Sequence, residues 1–256
     1  MTAPAIRAMK GGDPIVCLTA YDAVTGALAD QANVDLILVG DSVGNAVLGY
    51  ETTVPVTLEE MIHHVRAVRR SVQHALLVAD MPLGSYGSTV GQAVDSAVAL
   101  AKAGAEAVKL EGTFLDEIAA IQKVGIPVMG HVGMTPQSVN LFGGFKVQGK
   151  DAHAEHVMAA AREVSDVGVF ALVLELIPMS LAKQITDAVS TPTIGIGAGP
   201  HCDGQVQVFH DLVGLTPHRF RHAKRYAESW DILGSAIADY VSETRTRAFP
   251  TDEHAS

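Results

Sequence analysis

The stretch DLILVGDS, residues 35–42, is a short apolar run that ends on an acid and a hydroxyl. The same grammar recurs along the chain. ALLVA ends at Asp80, AVKL carries Lys109 and ends at Glu111, IPVMG ends at His131, and FALVL ends at Glu175. Unbroken apolar runs of this length read as strands buried on both faces of a parallel sheet. In an α/β barrel the chemistry collects at the C-terminal ends of such strands, so these polar residues are expected to face one pocket.

Working outward, short β-type runs alternate with longer helical ones, the signature of stacked βα units. Strands are expected near 15–20, 35–40, 75–80, 106–111, 127–131, 170–175, 192–197 and 205–209. Helical spacing covers 23–32, 57–73, 89–103, 114–124, 152–167 and 179–189, with Thr57 ahead of Glu60 and Asp151 ahead of Ala154 as candidate caps. Eight strands imply an α/β fold, a (βα)8 TIM barrel. Pro200–Gly204 leaves no room for a helix after the seventh strand, so a compact turn is expected there. Residues 132–150, VGMTPQSVNLFGGFKVQGK, show neither period and read as a lid or binding loop. The part from about 218 to 247 is expected to close the barrel as one or two helices, with a frayed tail over 250–256.

At 256 residues and 48% hydrophobic, the chain suits a single domain spanning 1–256. A formal charge of −10 and an aromatic content of 5% argue against a nucleic-acid partner. The first residues lack the apolar core of a signal peptide, and no apolar run approaches a bilayer span. No membrane partner and a cytoplasmic location are therefore expected. Cys17 and Cys202 read as unpaired thiols, and neither is a candidate nucleophile.

Strand side chains alternate faces, so Lys109 shares a face with Glu111, Val78 with Asp80, Val39 with Asp41, Met129 with His131, and Val173 with Glu175. Asp41, Asp80 and Glu111 come from three successive strands and would repel one another in a partly dry site. A divalent cation resolves the conflict, and all-oxygen ligands favour a hard ion such as Mg²⁺. Lys109 could neutralise the acids instead, or hold a substrate carboxylate. Glu175 follows an apolar run whose burial would raise its carboxyl toward general-base range, or it is a structural acid. His131 reads as a hydrogen-bonded core histidine or as a further substrate contact. GIGAG (195–199) reads as a tight turn, and the pairs His153/His156 and His218/His222 as solvated helix faces.

The segments LTAYD (18–22), GDSVGN (40–45), PVTLEEM (55–61), ADMPLGSY (79–86), VKLEG (108–112), GHVGMTPQSVN (130–140), GGFKVQGK (143–150), VLELIP (173–178) and IGIGAGPHCDGQV (194–206), closing with FPTDEH, resemble the ketopantoate hydroxymethyltransferase family over nearly the whole chain. Departures at Leu83, Thr113 and Gln207 touch no proposed ligand.

The resemblance implies a barrel of the phosphoenolpyruvate/pyruvate type. It also implies transfer of a one-carbon unit from 5,10-methylenetetrahydrofolate to 3-methyl-2-oxobutanoate, giving 2-dehydropantoate and tetrahydrofolate on the way to pantothenate and coenzyme A. Carried onto this chain, it implies Mg²⁺ or another hard divalent ion at Asp41, Asp80 and Glu111, the last through water. Asp41, Ser42, Asp80 and Lys109 would line the ketoacid site, with Glu175 as the base. A homo-oligomer, a decamer, is implied as well. The rival readings are another metal-dependent 2-oxo acid lyase or mutase on the same barrel, and an inert metabolite-binding protein on an old enzyme scaffold.

Overall fold

The structure, a computed structural model, describes residues 1–256. Eight parallel strands close in sequence order: β1 Ile15–Thr19, β2 Leu36–Val39, β3 Leu76–Asp80, β4 Ala107–Lys109, β5 Val128–Gly133, β6 Ala171–Glu175, β7 Thr193–Ile196 and β8 Gly204–Gln207. All eight fall where the apolar runs place them. The six expected helices are present as Ala23–Gln31, Leu58–Arg69, Val90–Ala103, Leu115–Lys123, Ala154–Asp166 and Met179–Ala188. A compact turn without helix joins β7 to β8, as the Pro-Gly spacing requires. No helix is long and apolar enough to cross a membrane.

The barrel interior is filled by alternate strand residues, among them Ile15, Cys17, Leu36, Leu38, Leu76, Val78, Ala107, Met129, Ala171, Val173, Ile194 and Val206. Each fully buried aliphatic side chain of this kind contributes about 1.5–3 kcal/mol. The helix Ala3–Ala8, which the sequence reading did not include, joins this cluster through Ala3 and Ile6. Thr2 caps it by accepting the Ala5 N–H, and Pro4 lies in its first turn, where its missing N–H costs nothing.

The caps divide. Thr57 accepts the Glu60 N–H and Glu60 accepts the Thr57 N–H, a full capping box. Asp151 caps nothing: it opens a 3-10 turn, Asp151–His153, at φ +49°, and that turn leaves His153 at the cap position of the following helix.

Asp203, just before β8, ties the N-terminal end of the barrel together. Its carboxylate accepts from Lys10 Nζ (2.9 Å), Gly11 N (3.0 Å), Thr193 N (2.8 Å) and Thr193 Oγ1 (3.0 Å). Burial opposes its charge, but the N–H donors and Lys10 outweigh burial and hold its pKa below the usual value. A depressed folded-state pKa gives stability that is complete above the unfolded value, about 3.9, and is lost as pH falls through the folded value. Asp203→Asn is therefore expected to cost about 2–4 kcal/mol at neutral pH. Urea unfolding should show that gap narrowing below about pH 4; a gap constant across the acid range would contradict this reading.

The chain forms two compact units, Met1–Val208 and Phe209–Ser256. In the second, the helical expectation for 218–247 is met only by Ser229–Thr246, and 214–228 lies outside regular helix. In the tail, Asp252–His254 forms a 3-10 turn, with a box between Thr251 and His254.

Candidate active site

Strand register builds the first pair. Asp80, the last residue of β3, pairs with Lys109, the last of β4, on the interior face that Val78 and Ala107 share below them. Lys109 Nζ then lies 3.0 Å from Asp80 Oδ1. Glu111, two residues on, and His131 and Glu175 keep the interior parity of their strands. His131 Nδ1 lies 3.2 Å from Lys109 Nζ and 3.5 Å from Glu111 Oε1, and His131 Nε2 lies 3.3 Å from Glu175 Oε2.

Asp41 arrives differently. In β2 the interior residues are Leu36 and Leu38, so the face shared by Val39 and Asp41 points outward, and counting along the strand does not deliver Asp41 to the mouth. The turn after β2 does. There the Asp41 N–H donates to Asp80 Oδ2 at 3.0 Å, and the Asp41 carboxylate accepts from Gln137 Nε2 at 2.8 Å. Gly40 makes the close packing possible: a Cβ there would lie 2.7 Å from Ser42 Oγ and 3.4 Å from Asp80 Oδ2. Ser42 is thus brought beside Asp80, with its Oγ 2.8 Å from the Tyr21 hydroxyl.

All seven residues singled out from the sequence converge on this end of the barrel. The side chains of Asp80, Lys109, Glu111 and His131 are at most 5% exposed, whereas Glu175 keeps 17%. The dry surroundings expected for Glu175 are therefore corrected: the apolar run before it buries its strand, but its carboxylate opens toward solvent. Its backbone is held firmly. Leu176 adopts φ +45°, a conformation costing a non-glycine residue about 1–3 kcal/mol. Hydrogen bonds from Leu176 N to Ile196 O and from Gln148 N to Leu176 O, both 2.9 Å, keep it there. Opposite, Gly133 at φ +100° allows a contact no side chain permits, since a Cβ would lie 2.3 Å from Glu175 O.

The electrostatics are those of an overcharged pocket. Burial, then Asp80, then Glu111 push the Asp41 carboxyl well above the usual range. Burial also raises Asp80 despite the opposing Lys109 ammonium. Burial works against charge on Lys109, but Asp80, Glu111 and Asp41 more than compensate, and its pKa is raised. Burial and Lys109 oppose protonation of His131, yet Glu111 and Glu175 lift it to about 9. Cys17 is raised by burial and by Asp35, and Cys202 by burial, so neither thiol is poised as a thiolate nucleophile.

Three buried acids face one buried lysine, and Asp80 Oδ1 and Glu111 Oε1 lack an aligned hydrogen bond. Lys109 approaches Asp80 Oδ1 at ion-pair distance but off the line of a hydrogen bond. Unspent buried oxygens are costly without a partner, and a hard divalent cation fits this all-oxygen set. No three acidic, histidine or cysteine side chains converge closely enough to ligate one ion directly. An ion bound among these oxygens would have to keep several waters, as Mg²⁺ usually does.

Two participants carried no charge signal in the sequence. Gln137 and Tyr86, both buried, bond to each other and to Asp41 and Glu111. The loop expected over 132–150 is anchored here: Met134, Thr135, Gln137 and Val139 are buried, while Leu141 and Phe145 are exposed. His153 and His156 are exposed, as expected of a solvated face.

The ketopantoate hydroxymethyltransferase profile matches residues 1–252. A 3-methyl-2-oxobutanoate hydroxymethyltransferase of Thermosipho melanesiensis is 48% identical over 99% of this chain and 98% of its own. Its counterpart in Thermoanaerobacter pseudethanolicus is 51% identical over 96% and 92%. Among solved structures, the phosphoenolpyruvate phosphomutase of Streptomyces platensis subsp. rosaceus shares the fold with a TM-score of 0.69 at 14% identity, covering 100% of this chain and 92% of that one. Matched along almost its whole length and at about half of its positions, this chain is a member of the ketopantoate hydroxymethyltransferase family.

Proposed function

We propose that the chain is a cytoplasmic, metal-dependent enzyme that transfers a hydroxymethyl group from 5,10-methylenetetrahydrofolate to 3-methyl-2-oxobutanoate, giving 2-dehydropantoate and tetrahydrofolate. The observation that carries the reading is the ring of buried carboxylates Asp41, Asp80 and Glu111 around Lys109, with the more open Glu175 across from it. Asp41 and Asp80, with Glu111 through water, would hold Mg²⁺ or another hard divalent ion, whose Lewis acidity would favour the enolate of a bound ketoacid.

Lys109, buried and charged, offers the ketoacid carboxylate an ammonium, and Ser42 offers a hydroxyl fixed by Tyr21. Glu175 takes the proton from C3. Water adds to the folate methylene carbon and both of its bonds to nitrogen break, so that tetrahydrofolate leaves and the one-carbon unit is freed at the formaldehyde level. The C3 nucleophile attacks that carbon, and the oxygen from water becomes the new hydroxyl. His131 bridges Glu111 and Glu175, which suits it to hold the base in place beside the ketoacid. Self-assembly, to the decamer the family resemblance implies, is also proposed. It is supported by the exposure of residues 230–246 of the helix Ser229–Thr246, including Trp230, Ile237 and Tyr240.

Folate dependence separates this reading from a lyase or mutase on the same barrel. With purified protein, Mg²⁺ and 3-methyl-2-oxobutanoate, 2-dehydropantoate should form only when methylenetetrahydrofolate is added, in step with tetrahydrofolate. Consumption of the ketoacid without folate would favour the lyase or mutase.

A further inference from the structure

Gln137 stands between two of the acids without being one. Its side-chain nitrogen donates to Asp41 Oδ2 at 2.8 Å and to the Met81 carbonyl at 3.0 Å, while its backbone N–H donates to Glu111 Oε2 at 3.1 Å. A carbonyl can only accept, so the amide orientation is fixed: nitrogen faces Met81 and Asp41, and oxygen faces Tyr86. Tyr86 completes the arrangement, donating its hydroxyl to Gln137 Oε1 at 2.6 Å and accepting the Glu111 N–H at 3.1 Å. Burial and the nearby Glu111 charge keep that phenol protonated, and Phe114 packs edge-on against its ring with centroids 5.2 Å apart.

One residue thus occupies one oxygen of each of two carboxylates that follow different strands, and leaves Glu111 Oε1 buried without an aligned hydrogen bond, its nearest charged neighbour being His131 Nδ1 at 3.5 Å. The neutrality of the amide matters. A lysine in the same place would cancel the negative charge that attracts a cation, and an acid would add to the repulsion. A glutamine orients the carboxylates and leaves their charge intact.

We infer that Gln137, locked by Tyr86, is a positioning residue that sets Asp41 and Glu111 at the angle needed to take up a divalent cation. The inference rests on the metal-dependent reading above, and deepens it by naming the groups that prepare the site.

The test uses Mn²⁺ as probe, with the free ion followed by electron paramagnetic resonance during titration of the full-length protein. Gln137→Met, which keeps the length but removes the donors, should weaken Mn²⁺ binding about 10- to 100-fold. In steady-state assays its apparent KM for Mg²⁺ should rise by more than kcat at saturating Mg²⁺ falls. Tyr86→Phe, a gentler change, should move both quantities the same way by a smaller factor, and it carries the test if Gln137→Met fails to fold. A purely structural role predicts the opposite split: less active enzyme with an unchanged Mn²⁺ titration. Variants that bind Mn²⁺ within about twofold of the wild type, which is well below that range, overturn the inference alone. A wild-type protein that binds no Mn²⁺ overturns the metal reading together with it.

Discussion

Glu175→Gln is expected to lower kcat by about 10²- to 10⁴-fold, the usual contribution of a general base. The amide keeps the size of the carboxylate, so Mn²⁺ and ketoacid should still bind. Exchange of the C3 hydrogen of 3-methyl-2-oxobutanoate into D₂O, followed by proton NMR without folate, should disappear. The geometry explains why a small change should act so strongly. Glu175 ends β6, its backbone is clamped between the Gly133 turn and the strained Leu176, and its Oε2 lies 3.3 Å from His131. Exchange that persists in the variant would remove Glu175 from the role.

Asp80 should give the second large effect, because it is used twice. Its Oδ2 accepts the Asp41 N–H, and its Oδ1 pairs with the Lys109 ammonium. Asp80→Asn keeps an acceptor for Asp41 but loses the charge, so the protein should fold while Mn²⁺ affinity drops by more than 100-fold, beyond the roughly 10- to 100-fold cost of losing only a supporting hydrogen bond. Asp80→Ala should also leave Lys109 buried without its closest counter-charge, at a cost of about 3–5 kcal/mol in unfolding free energy. Metal titration and urea denaturation of both variants separate the two contributions. Unaltered Mn²⁺ binding in Asp80→Asn would exclude Asp80 as a ligand.

The barrel was legible because its signal is repeated: eight apolar runs of strand length, most of them ending on a polar residue, leave few other topologies. The acids at those ends were legible for the same reason. What parity could not supply was the place of Asp41, which reaches the site through a turn whose path depends on Gly40 and on a hydrogen bond to another strand. Gln137 and Tyr86 lay inside quoted motifs, but neutral polar residues in a loop without periodicity show their partners only in three dimensions. The Ala3–Ala8 helix is too short for apolar spacing to reveal, although Thr2 and Pro4 are sound start signals. At Asp151 the residue type suggested a cap, and a three-residue turn intervened. Likewise, the run before Glu175 reported the burial of its strand and not of its carboxylate.

The most direct test of the account is C3 hydrogen exchange by the wild-type protein in D₂O, with ketoacid alone, measured in Mg²⁺ and again in excess EDTA. Exchange in Mg²⁺ that stops with EDTA is the predicted result. Exchange that continues undiminished in EDTA would contradict the claim that Asp41, Asp80 and Glu111 hold the ion on which the ketoacid is activated.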